Sequence, residues 1–349
     1  MVRMNPHVSA MFSEKIIEEE GLTKRQAPFF TVVIPAYKAA HLIADALASV
    51  FDQTFKDYEI IVINDGSPDT PALEQHLQPY LSRITYIAQR NKGPGGARNA
   101  GILRARGEYI AFLDSDDQWL PQHLAEMVEA LERKPGFDLV YADAINFGDF
   151  ASEGCTTMES NPSEGLATFE SLVLEKCSVV GSTVIARRQS LIDAGLFDES
   201  FVHGEDFDLW TRLAYRGGRI DYLKRIHSRR RIHDGNLTRD LISSFEGQVN
   251  VLRKLLRDFD IPDELKQRMQ VQIEKCNASI ALEKFKKNLV DRDYRAAHDE
   301  LQRANTMYRS SKLQLALFLL QTAPRLVRYF YVRKQNHDHR RISEQVTRA

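Results

Sequence analysis

The sequence predicts an α/β domain, built on a mostly parallel sheet with helices on both faces, followed by an all-helical C-terminal region. Three observations carry this expectation. Apolar, β-branched runs alternate with stretches of helical spacing from Phe29 onward, the pattern of successive βα units. After about Thr238 the alternation stops and only helical periodicity remains. Acidic residues gather where apolar runs end, at Asp65 and at Asp114, Asp116 and Asp117, and again at Glu205–Asp206.

FFTVVIPAY (Phe29–Tyr37) is a short apolar run that ends at Pro35 and reads as a buried strand. In HLIADALASVF, Leu42, Ile43, Ala46, Leu47 and Val50 recur at helical spacing. The strand YEIIVIN leads into Asp-Gly-Ser-Pro, which is strong turn chemistry. A helix after Pro71, a strand at RITYIAQ, a Gly-rich loop, a helix around ARNAGILRA and the strand YIAFLD continue the series. From Asp143 to about Phe169 the chain is Gly/Ser/Thr-rich, and a surface excursion near a binding edge is expected. Regular patterning resumes in CSVVGSTVIARRQSLIDAG and FDLWTRLAYRGG. In the tail, Phe245, Val249, Leu252, Leu256 and Phe259 form an amphipathic stripe. Pro262 and Asp263 start a further helix carrying Leu265, Met269, Ile273, Cys276 and Ile280, and DYRAAHDELQRAN reads as one arm of a helical hairpin. Residues 8–20 read as a short helix within an N-terminal extension, 1–28. The α/β domain then occupies 29–238 and the helical region 239–349.

A chain of 349 residues, 43% hydrophobic, suffices for two domains or for one large domain with an appendage. A net charge of −1 excludes a general nucleic-acid coat protein. Cys155, Cys177 and Cys276 show no CxxC spacing, so neither a zinc site nor a disulfide framework is expected, and a reducing cytosol fits them. No apolar run approaches the roughly 18 residues of a membrane span, and the N-terminus lacks the apolar core of a signal peptide. From Lys312 to Ala349 there are eight Lys/Arg against two Asp/Glu. KLQLALFLLQTAPRLVRYFYVRK is a basic amphipathic element that suits an anionic membrane surface, the rest of the helical tail or a dimer contact.

Carboxylates drawn from separate segments to the carboxyl edge of one sheet would repel unless a cation or a chemical task explains them. Asp114 and Asp116, as alternate residues of an extended segment, share a face. They suit a hard cation, or an Asp-rich turn capping a helix near Pro121. Asp65 can accept an imide N–H or close an Asx-turn. Gly93, Gly95 and Gly96, ahead of Arg98 and Asn99, permit close approach to a ligand at a helix start, or form an ordinary flexible loop. This is not GxGxxG after the first strand, so a dinucleotide site is disfavoured. Glu205–Asp206 offers a general base, or complements a helix dipole. His233 follows three arginines in a segment that suits a solvated surface, and Trp119 and Trp210 suit the core.

VVIPAYKAAHLIADALASVFDQTFKDYEIIVINDGSPD, NKGPGGARNAGI, GEYIAFLDSDD and GEDFDLWTRLA, in this order, resemble family 2 glycosyltransferases of the GT-A fold over roughly Phe29 to Thr238. The resemblance implies a nucleotide site lined by Pro35, Ala36, Tyr37, Asp65, Gly93, Arg98, Asn99, Asp114 and Ser115. It implies Mn²⁺ or Mg²⁺ held by Asp116 with Asp114, Asp117 and His233, Asp206 as base, and Glu205 shaping the acceptor side. Many members carry two acids before the Gly-Ser, whereas Asn64 occupies the first of those positions here. The expected reaction is metal-dependent inverting transfer from a nucleotide-diphosphate sugar, UDP favoured, to a carbohydrate or lipid-linked acceptor in envelope polysaccharide or glycolipid synthesis. The expected location is cytoplasmic, peripheral on the inner membrane face through 311–341, and a homo-oligomer is compatible. The alternatives are a catalytically silent binding module and a nucleotidyltransferase, which would need a triphosphate loop that PAYKAAH lacks.

Overall fold

The structure, a computed structural model, describes residues 27–333 apart from 134, 149–152, 164–165 and 234. The helix expected over 8–20 and the end of the basic element, 334–341, lie outside the described residues. Strands β1 (Phe30–Ala36), β2 (Tyr58–Asp65), β3 (Thr85–Gln89) and β4 (Tyr109–Phe112) pair in parallel in the order β3-β2-β1-β4. Helices α1 (Ile43–Phe51), α2 (Thr70–Leu77) and α3 (Gly93–Arg104) make the crossovers. In β1, Val32 and Ile34 belong to one apolar cluster and Val33 to the other. Both sheet faces are therefore covered, which is why these strands read as continuous apolar runs rather than alternating ones. A Cβ on Gly101 would lie 2.5 Å from Val33 Cγ1, so its glycine lets α3 settle directly onto β1.

Beyond β4 the sheet becomes mixed, with one further parallel pair and two antiparallel strands added. The chain continues through β5 (Gln118–Trp119), α4 (His123–Arg133), β6 (Leu139–Gly148), α5 (Thr157–Ser160), α6 (Phe169–Val173), β7 (Ile185–Arg187), α7 (Arg188–Asp193), α8 (Glu205–Tyr215) and β8 (Ile220–Ile232). β7 runs antiparallel between β4 and β6, and β5 runs antiparallel on β8, giving an eight-stranded mixed sheet. The surface excursion expected from Asp143 begins later, because β6 pairs with β8 as far as Gly148 and Ile232. β8 carries DYLKRIHSRRRI, too charged to read as a strand. The Arg229 and Arg231 guanidinium groups lie 4.4 and 4.5 Å from the Phe147 ring centroid, so a cationic strand edge packs on an aromatic face of β6.

The C-terminal region is helical as expected, with α9 (Leu241–Asp258), α10 (Asp263–Val290), α11 (Tyr294–Tyr308), α12 (Ser311–Thr322) and a last helical stretch over 324–333. The predicted stripes of α9 and α10 close on one another: Val249, Leu252, Met269, Ile273 and Cys276 share a cluster. α9 in turn braces α8. A Cβ on Gly247 would sit 2.4 Å from His203 O, and Lys254 Nζ reaches Asp198 at 2.7 Å and the fully buried Asp208 at 2.8 Å.

Behind the acidic loop, β8 and α4 trap two histidines. His123 Nδ1 and His227 Nδ1 are 3.1 Å apart, His227 Nε2 faces Glu126 at 3.1 Å, and the His123 ring packs on Trp119. If Nε2–H of His227 serves Glu126, His123 Nδ1–H serves His227, and buried His123 Nε2 is left without a partner among the described residues. A further proton would have to sit there. Burial, reinforced by His227, holds the His123 pKa well below its ordinary 6.5, and burial also lowers His227 against the opposing pull of Glu126. A depressed histidine takes up its proton more readily in the unfolded chain, so its stability contribution is complete above pH 6.5 and is lost as pH falls below it. The melting temperature is expected to drop from pH 6.5 to 5.5, by an amount equivalent to about 1 kcal/mol for His123 alone. His123→Leu should flatten that slope. An identical pH slope in both proteins would show that the pair does not titrate.

Candidate active site

The sheet order brings the ends of β2, β1 and β4 to one edge, with the ends of β2 and β4 two strand spacings, about 10 Å, apart. The first-strand loop is fastened to the turn after β2: Lys38 N–H donates to Ser67 Oγ at 2.7 Å and Ala40 N–H to Asp69 Oδ2 at 3.0 Å. Pro35 and Ala36 close β1, and the Tyr37 ring stands 47% exposed just beyond. Asp65 ends β2 almost fully buried. Its Oδ1 accepts from Gln89 Nε2 at 2.8 Å and Lys92 N–H at 2.9 Å, leaving Oδ2 with no protein donor among the described residues. At Gly66 (φ +62°) a Cβ would lie 2.6 Å from Asn91 N, so glycine is what allows the chain after β3 to pass this turn.

Arg98 ties two of the acidic clusters together. Its Nη2 donates to Asp114 Oδ1 and its Nη1 to Glu205 Oε1, both at 2.8 Å, with the guanidinium only 12% exposed. Asp206, next to Glu205 in the first turn of α8, adds its charge to the same group. Burial works to lower the Arg98 pKa, but Asp114 and Glu205 hold it above its ordinary value, so it stays a cation. Burial, with the charge of Asp206, pushes Glu205 up to about 7. Burial also raises Asp206, against the stabilising pull of Arg98 and of the Phe207 N–H that its Oδ1 accepts at 2.7 Å.

Asp116 and Asp117 face different partners. Asp116 Oδ2 receives His233 Nε2 and Asn236 Nδ2, both at 3.0 Å, and burial together with the charge of Asp114 raises its pKa. Gly235 N–H donates to His233 Nδ1, which assigns the ring proton to Nε2 and makes His233 a donor to Asp116. Asp117 differs from the expectation of a metal ligand. Its Oδ2 accepts from Ser182 Oγ at 2.6 Å and its Oδ1 from Arg231 N–H at 2.8 Å, so it is buried and secures the loop to β8.

Asn99 likewise departs from the expected nucleotide contact. Both ends of its amide engage the backbone of Phe197 at 2.9 Å, fixing the segment that leads into α8. Gly93 opens α3 with φ +76° and nothing near its would-be Cβ, while Ser115 is buried. Trp210 packs on Phe112 and Phe197 in the core, and Trp119 donates Nε1–H to Ser182 O. Sequence reasoning missed Ser182, which organises the acidic loop through Asp114 N–H, Asp117 and Trp119. It also missed Asn236, whose one signal was its turn-prone neighbourhood after His233.

The donor set fits a hard divalent cation. Asp114 and Asp116 side chains are 36% and 24% exposed, and Asp114 Oδ2 has no protein donor among the described residues. Among the described residues no group of three or more His, Cys, Asp or Glu is placed to hold a metal ion by itself.

Residues 31–192 match the family model described as glycosyl transferase family 2. That stretch of the chain belongs to this family. A relative from Escherichia coli, "UDP-Glc:alpha-D-GlcNAc-diphosphoundecaprenol beta-1,3-glucosyltransferase WfaP", is 28% identical over 64% of this chain and 86% of its own. Two solved structures share the fold. TarS (residues 1–349) of S. aureus in complex with UDP-GlcNAc has a TM-score of 0.58 at 18% identity, covering 89% of this chain and 91% of that one. Mannosyltransferase PcManGT of Pyrobaculum calidifontis in complex with GDP-Man and Mn²⁺ has a TM-score of 0.58 at 17% identity, covering 90% and 87%. The chain therefore has the GT-A architecture, a mixed sheet flanked by helices, with its helical region appended.

Proposed function

We propose that this glycosyltransferase transfers a hexose with inversion from a UDP-sugar to a hydroxyl of a carbohydrate or lipid-linked acceptor, with Mn²⁺ or Mg²⁺ as cofactor. The observation that carries the reading is Arg98, which clamps Asp114 and Glu205 and so sets the acidic loop beside the start of α8. The printed activity of the E. coli relative, UDP-glucose with a diphosphoundecaprenol-linked acceptor, supports the donor and acceptor classes. The Mn²⁺ bound with GDP-Man in the archaeal structure supports the cofactor.

Each residue then has a task. Oδ2 of Asp65 accepts the imide N–H of uracil, held in place by Gln89 and Lys92, and Tyr37 packs on the base. Asp116 and Asp114 would hold the cation, which supplies Lewis-acid stabilisation of the departing diphosphate. His233 and Asn236 orient Asp116 from behind. Asp206 takes the proton of the acceptor hydroxyl through Oδ2 as the oxygen attacks, and its burial raises its basicity toward what that task needs. Arg98 holds Glu205 and Asp114 on either side of one guanidinium and offsets their negative charge beside Asp206.

Nucleotide-diphosphate release from a panel of UDP- and GDP-sugars, with Mn²⁺ and without acceptor, tests the donor. Slow release from one UDP-hexose is expected. Release from none of the panel would sink the reading.

A further inference from the structure

The face left over by the fold lies at its far C-terminal end. α12 buries Leu320 and leans Leu313 and Leu317 on Leu289 and Leu301, while Val327 and Tyr331 continue that inner face through the last helical stretch. The opposite face is also apolar. Leu315 and Phe318 are each 60% exposed, and Leu326, Tyr329 and Phe330 are 50–59% exposed. An exposed apolar patch of this extent marks a surface that something covers.

Charge identifies the cover. From Ser311 to Arg333 there is no Asp or Glu, and four basic residues, Lys312, Arg325, Arg328 and Arg333, are spread among the apolar ones. Arg328 turns inward to Val290 O, whereas Lys312, Arg325 and Arg333 stay exposed. A second copy packed here about a two-fold axis would set like charges against each other with no acid in the segment to answer them. An anionic lipid surface answers both features: its headgroups attract the basic side chains, and its acyl boundary takes Leu315, Phe318, Leu326 and Phe330, with Tyr329 suited to the interface. Among the described residues no helix is long and apolar enough to cross a bilayer, so the contact is one of lying on the surface.

We infer that α12 and residues 324–333 dock the protein on an anionic membrane, with Leu315, Phe318, Leu326 and Phe330 inserted and Lys312, Arg325 and Arg333 at headgroup level. The inference does not depend on the transferase reading, and its failure would leave that reading standing.

Co-sedimentation of the full chain with vesicles tests it, using phosphatidylcholine alone and phosphatidylcholine mixed with phosphatidylglycerol. Binding is expected to the mixed vesicles, weakening as salt is raised. Arg325→Gln with Arg333→Gln should lower it on the order of tenfold, and Leu315→Gln with Phe318→Gln should abolish it. All four positions are exposed, and circular dichroism of each variant should match the parent. No binding, or equal binding to the two vesicle types, would overturn the inference. So would a dimer in solution that Leu315→Gln with Phe318→Gln converts to monomer while vesicle binding persists.

Discussion

Asp206→Asn is expected to lower kcat by roughly 10²–10⁴-fold while leaving UDP affinity unchanged. Asparagine keeps the shape and the bond from Phe207 N–H but cannot take a proton. The substitution also removes a charge that burial disfavours, so the fold should not suffer. Glu205→Gln is the informative companion. Glu205 is committed to Arg98, so its loss should act through the position of Arg98 and affect donor affinity as well as turnover. A fully active Asp206→Asn protein would remove the base assignment, whatever the fate of Glu205→Gln.

Arg98→Leu should be strongly destabilising. It strands two carboxylates that the guanidinium now satisfies, at a cost of about 3–5 kcal/mol in a urea titration. The deficit should depend on pH with a definite sign. Glu205 already stands near 7, and removing Arg98, which lowers it, would raise it further. An acid with a raised pKa contributes stability below its unfolded value and loses it as pH rises through the folded one, so the deficit should be smaller at pH 6 than at pH 8. Arg98→Lys restores one charge without the two-pronged geometry, and should recover part of the stability but little of the activity. A pH-independent loss below about 1 kcal/mol would mean that the bridge is a surface ornament of the fold.

The fold was legible where burial writes itself into composition. β1, β2 and β4 are apolar because both faces of the sheet are covered, and α9 and α10 carry periodic stripes because each covers the other. β8 was not legible, since its arginines are stabilised by Phe147 and by the acidic loop rather than by apolar burial. β7 was equally hidden: nothing in three residues states that they run antiparallel between β4 and β6. Within the site, the acidic residues were visible because clustered carboxylates are costly and so informative. Their division of labour was not. Asp116 and Asp117 are neighbours in sequence, yet one meets His233 and Asn236 in a partly open setting while the other is sealed against Ser182. The Arg98–Glu205 contact spans 107 residues, and residue types alone carry no distances.

The central claim is that Asp65 and the pair Asp114 and Asp116 together bind a nucleoside diphosphate and its cation. Calorimetric titration of UDP, with and without Mn²⁺, into the parent protein and Asp116→Asn tests it most directly. The parent should bind UDP at least about tenfold more tightly with Mn²⁺, equivalent to ~1.4 kcal/mol, and Asp116→Asn should lose that gain. UDP binding that ignores Mn²⁺, or a gain that survives in Asp116→Asn, would contradict the account.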